Sequence, residues 1–97
     1  MNFRFTSAAL RELQEAAFYY DQVENGLGGR FLDEVEETLR RIFANPCAWK
    51  AFSMRTRRCR THRFPFGLLY EIKEAQEILI LAVMDLRRDP KRWCDLL

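Results

Sequence analysis

Seven consecutive apolar residues, Ile78 to Met84, run directly into Asp85-Leu86-Arg87-Arg88-Asp89-Pro90-Lys91-Arg92-Trp93. The run is too short for a membrane span and lacks polar alternation, so it predicts a strand buried on both faces at the centre of a sheet. A strand held in a core releases the residues after it at a fixed place. Asp85, Arg87 and Arg88 are therefore the first candidates for function.

The 97 residues, 48% of them hydrophobic and eight of them Phe, are enough for one core without metal or disulfide staples. Cys47, Cys59 and Cys94 are odd in number and show no C-x-x-C spacing, and His62 is the only histidine. That pattern argues against zinc and against a secreted disulfide framework. Packing is expected for Cys47 and Cys59, with an incidental thiol at Cys94. No metal, cofactor or membrane partner is implied. No positive segment followed by an apolar one opens the chain, so the expected location is the reducing cytoplasm.

Charge divides the chain. Up to Pro46 there are five Lys/Arg against eight Asp/Glu, and after it eleven against six. A basic C-terminal half points to an anionic partner, either nucleic acid or an acidic protein segment, while a plain solvated face explains the charge equally well.

Phe3-Arg4-Phe5 alternates as a short first strand does, and Thr6 or Ser7 can cap a helix after it. Leu10, Leu13, Ala17 and Tyr20, with Ala9, Ala16 and Val23, recur at three- and four-residue spacing and form one apolar stripe. Glu24 to Gly29 holds three of the four glycines and reads as the turn between two helices, not as a phosphate loop. The second helix carries Phe31, Leu32, Val35, Leu39, Ile42 and Phe43 inward and stops at Asn45-Pro46. Trp49 and Phe52 are expected to anchor the connector on the core.

Met54 to Phe64 has five arginines and no acid, and as a strand it would place Arg55, Arg57, Cys59, Thr61 and Arg63 on one face. Phe64-Pro65-Phe66-Gly67 is expected to turn the chain into a strand containing Leu68, Tyr70 and Ile72. A tight connection at Glu74-Ala75-Gln76 then leads into the apolar run. The order predicts a single α+β domain over residues 1–97, an N-terminal strand and an α-helical hairpin packed on a three- to four-stranded antiparallel sheet.

Several of these pieces together resemble the RelE/ParE superfamily of toxins from type II toxin–antitoxin modules, the plasmid stabilisation proteins. The N-terminal half matches through Phe18-Tyr19-Tyr20, Gly26-Leu27-Gly28-Gly29-Arg30-Phe31-Leu32-Asp33-Glu34-Val35 and Ile42-Phe43-Ala44-Asn45-Pro46. The C-terminal half matches through Arg57, Arg63-Phe64-Pro65-Phe66, Leu69-Tyr70, Leu81-Ala82-Val83, Arg88-Asp89-Pro90 and Trp93. The pattern is closer to ParE than to RelE. Many relatives carry a histidine shortly after the Leu-Ala-Val strand, where this chain has Asp85. The resemblance implies a ParD-like antitoxin as partner. It implies DNA gyrase as the target of ParE-like members, or messenger RNA on the ribosome as that of RelE-like ones.

RNA cleavage by 2′-hydroxyl attack needs proton carriers as well as cations. If the chain is a nuclease, Arg57, Arg63, Arg88 and His62 are its candidates. The tail after Arg88 contains no tyrosine, and Tyr70 reads as core. A binding toxin needs only exposed cationic and aromatic anchors, which Arg88, Lys91, Arg92 and Trp93 supply. Whether Trp93 is such an anchor or covers the sheet edge is open. Arg55, Arg57, Arg58, Arg60, Arg63 and Arg87 are candidates for binding anions or the acidic tail of an antitoxin. Gyrase inhibition is the preferred reading and ribosome-dependent mRNA cleavage the alternative.

Overall fold

The computed structural model describes residues 2–74 and 77–88. Its elements are β1 (Phe3–Phe5), α1 (Ser7–Val23), α2 (Leu27–Ala44), β2 (Lys50–Ala51), β3 (Thr56–Arg60), β4 (Phe66–Ile72) and β5 (Ile78–Asp85). The strands form one sheet in the order β1-β5-β4-β3-β2. β1 runs parallel to β5 and the other three pairings are antiparallel. The expected α+β plan therefore holds. The sheet has one short strand more than the sequence suggested, and its first pair is parallel. β5 is interior, and β4 occupies the middle.

The apolar run of β5 has a specific geometry. Leu69 pairs with Ala82 while Tyr70 pairs with Ile80, so Leu81 has no residue opposite it and forms a bulge. The extra residue reverses the phase of the strand. Ile78, Ile80 and Val83 belong to the core beneath the helices, whereas Ala82 and Met84 join Leu69 in a second cluster. Phe52, Leu81 and Leu86 pack against that second cluster. An uninterrupted apolar sequence is what a strand needs when both of its faces are covered and its phase changes midway.

α1 starts where Thr6 accepts the Ala9 amide through Oγ1 at 3.1 Å. Gly26, at φ +88°, makes the left-handed turn into α2. Gly28 and Gly29, expected in that turn, already lie within α2. Asp21 explains how: its Oδ1 accepts the Gly28 amide at 2.8 Å, so a side chain of the first helix caps the second. At the other end of α2, Trp49 donates from Nε1 to the Arg41 carbonyl at 3.2 Å, and the Arg41 guanidinium lies 5.6 Å from the Trp49 ring centre.

Tyr20, Phe31, Phe64 and Phe66 join the helical hairpin to the start of β4. Phe31 lies 5.3 Å from Tyr20 and Phe64 and 5.0 Å from Phe66, measured between ring centres. Phe66 and Gly67 belong to β4 rather than to the turn before it, and Arg63 adopts the left-handed φ of +68° in that turn. Gly67 has a packing role, since a Cβ there would sit 3.2 Å from Arg58 Cγ. Cys59 is buried as expected, but Cys47 is exposed just after Pro46. Cys94 lies outside the described residues.

Tyr70 is wholly buried and its hydroxyl donates to the Pro46 carbonyl. The Tyr20 hydroxyl is also buried, but without a hydrogen-bond partner among the described residues. Tyr70→Phe is therefore expected to cost about 1 kcal/mol in urea denaturation and Tyr20→Phe close to nothing, because only the first removes a made bond. Burial pushes the Tyr70 phenol up to about 12 from an ordinary 10. The folded chain then keeps a proton that the unfolded chain releases, and stability falls as pH rises through that window by roughly 3 kcal/mol. Tyr70→Phe should remove most of that decline.

Candidate functional site

Pairing partners share a face of the sheet, which places the arginines of β3. Arg58 sits opposite Leu69 and Lys50, and Arg60 opposite Gly67, on the face turned away from the helices. Lys50, Arg58 and Arg60 thus form a basic band beside the apolar floor of Leu69, Ala82 and Met84. The Arg58 stem crosses Gly67 within van der Waals reach, so its guanidinium is held in one region. Lys50 had no signal in the sequence, because the two-residue strand that carries it is too short to show alternation.

The remaining candidates are dispersed. Arg57 faces the helix side, half-buried, and donates to the Trp49 carbonyl at 2.9 Å, which is a structural role. Arg55 is exposed in the turn before β3 and lines a cleft with Thr56 and Ile72. His62 and Arg63 stand exposed in the turn between β3 and β4, with Arg63 Nε 3.7 Å from Glu34 Oε1. Arg63 and Arg87 meet at a separate surface cleft that also includes Arg30 and Phe64. The five arginines of residues 55–63 therefore do not make one floor. β3 holds only three of them, and a turn carries each of the others elsewhere.

At the end of β5, Asp85 and Arg87 lock together. Asp85 Oδ1 accepts from the Arg87 amide and from Nε, both at 3.0 Å, and Oδ2 accepts from Nη2 at 2.9 Å. These bonds hold the Asp85 carboxyl below its ordinary range. Arg88 Nε is 3.9 Å from Asp85 Oδ2. Asp85, Arg87 and Arg88 line a cleft of about 340 Å³ with Val83 and with Glu12, Glu15 and Tyr19 of α1. Glu12 accepts the Val83 amide through Oε1 at 3.0 Å, and burial raises its carboxyl above the ordinary value. Helical periodicity marks Glu12 as a surface residue and gives no hint of this contact. Lys91, Arg92 and Trp93 lie outside the described residues.

A family model described as the ParE toxin of the type II toxin–antitoxin system parDE matches residues 3–90. The chain belongs to the ParE toxin family. Among solved structures, this ParE-family chain is similar to one titled chromosomal ParDE TA system from P. aeruginosa. The TM-score is 0.67 and the identity 21%, with 89% of this chain and 96% of that chain covered. At that identity the likeness concerns the fold. No functionally curated protein matches. Membership makes the chain a toxin with an antitoxin partner. Among the described residues no cluster of His, Cys, Asp and Glu is arranged to hold a metal, and no helix is long and apolar enough to cross a membrane.

Proposed function

We propose that this ParE-family toxin acts by contact, inhibiting DNA gyrase in the cytoplasm, and that its ParD-like antitoxin neutralises it by covering the basic surfaces. The reading rests chiefly on Asp85. At the end of β5, where many relatives have a histidine, this chain holds a carboxylate tied by three hydrogen bonds to Arg87. A carboxyl kept ionised in this way is a poor source of the proton that a leaving oxygen requires. Tyr70 offers no substitute, being buried and bonded to Pro46. Arg88, exposed beside this lock, fits a contact residue, and Lys50, Arg58 and Arg60 fit the carboxylates of an acidic antitoxin tail.

The test is a supercoiling assay with purified gyrase. The toxin is expected to block supercoiling, with Arg88→Ala weakening the block by about tenfold, as the loss of an interfacial arginine anchor does. Unimpaired supercoiling at saturating toxin removes gyrase as the target. One feature favours a second reading, an RelE-like nuclease: the band of Lys50, Arg58 and Arg60 also suits phosphates. Cleavage of mRNA at the A site of programmed ribosomes would establish that alternative.

A further inference from the structure

β1 and β5 run together only as far as the pair Phe5 and Ile80. The chain then leaves the sheet through Thr6, whose amide donates to the Ile80 carbonyl at 3.0 Å, and enters α1. β5 continues to Asp85 with no strand on that side among the described residues. Direction follows from the other edge. The Leu86 amide donates to Pro65 on the β4 side at 2.8 Å, so Val83 and Asp85, offset by odd numbers of residues, direct their backbone groups to the uncovered side. An unpaired strand edge of this kind is a template for another strand.

Glu12 occupies the place of the missing strand. Its Oε1 takes the Val83 amide, the bond that a neighbouring strand's carbonyl would otherwise make. The group is poorly suited to the position, since burial opposes its charge and the Val83 amide only partly compensates. Beside it the cleft between α1 and β5 remains open.

We propose that this edge is a strand-addition site, with Glu12 as its placeholder, and that its occupant is an extended segment of the antitoxin. The inference rests on the reading that an antitoxin binds this chain. The segment continues the row of β1, gives a backbone carbonyl to the Val83 amide and displaces the Glu12 side chain into the cleft. Arg87 is engaged by Asp85, while Glu12 and Glu15 line the cleft from α1 and Arg88 faces them from the end of β5, so the site offers both signs of charge to the incoming segment.

The experiment uses the full chain, tagged and expressed from its native two-gene segment, so that the probe is the antitoxin that co-purifies with it. Hydrogen exchange is compared between the free chain and the complex, and affinity between the wild type and Glu12→Ala. Slower exchange at the Val83 and Asp85 amides in the complex is expected. The Kd of Glu12→Ala should be about tenfold lower, because a charge-assisted bond no longer has to be broken before the strand adds. A complex that leaves both amides exchanging as in the free chain overturns strand addition while sparing the antitoxin reading. A complex weakened by Glu12→Ala does the same, since it makes Glu12 a direct contact. Absence of any complex overturns both. If Glu12→Ala does not fold, the wild-type exchange comparison decides alone.

Discussion

Phe31→Ala should destabilise the fold by about 3–5 kcal/mol, the range for removing a fully buried phenylalanine from a packed core. Phe31 is completely buried, and its ring meets those of Tyr20, Phe64 and Phe66, which come from the other helix and from the entry to β4. Two segments, one on each side of α2 in the sequence, thus lose a common partner at once. Little relaxation is available, because Phe66 is fixed by the β4–β5 ladder and Tyr20 by α1. The check is urea denaturation, with a lower midpoint at unchanged slope. Phe18→Ala is the control. Phe18 is 68% exposed, and its loss should change stability by roughly 0.5 kcal/mol or less. Equal effects from the two substitutions would mean that the four-ring cluster is not the keystone of the hairpin.

Gly28→Ala is the second large effect, and it has the opposite sign to the usual one. Alanine in place of glycine inside a helix ordinarily stabilises by about 1 kcal/mol. Here the new methyl would lie 2.3 Å from the Ala17 carbonyl oxygen and 2.8 Å from Asp21 Cγ. The first of these is backbone of the facing helix, so the two helices must separate. Their separation also strains the Asp21 bond to the Gly28 amide that starts α2. A net loss of about 2 kcal/mol or more is expected, in line with overpacking of a close contact. Gly29→Ala is its internal comparison, since a Cβ there meets nothing within 4 Å. That neighbour should gain roughly 0.5–1 kcal/mol. Thermal melts would then move in opposite directions for two adjacent glycines of one helix, and movement in the same direction would disprove the close crossing.

Much of this architecture is legible in the residues, and what escaped did so for definable reasons. Leu13, Ala17 and Tyr20, like Phe31, Val35, Leu39 and Ile42, announce their helices because burial against a sheet repeats every three or four residues. Gly28 reads as part of the turn because glycine also ends helices, and only the proximity of Ala17 reveals the other use. β2 escaped because two residues carry no period. The parallel pairing of β1 was hidden because Phe3-Arg4-Phe5 alternates in the same way whichever direction its neighbour runs.

The candidate surfaces divide in the same manner. That Arg58 and Arg60 share a face follows from strand alternation. That Arg57 serves Trp49 on the other face, that Arg63 sits in a left-handed turn, and that Asp85 holds Arg87 depend on where the chain bends. Glu12 is the clearest example, because its partner Val83 is 71 residues away in the chain.

By itself the sequence determined the class and the family. Apolar periodicity, helix breaks and the uninterrupted run from Ile78 to Met84 are local consequences of burial. Only the tertiary structure decided that the run contains a bulge at Leu81, that among the described residues it has no strand beside it beyond Phe5, and that the basic residues described fall on separate surfaces. The physical reason is that register, strand direction and charge pairing are set between segments, by which backbone groups and side chains meet, and no single segment carries that information.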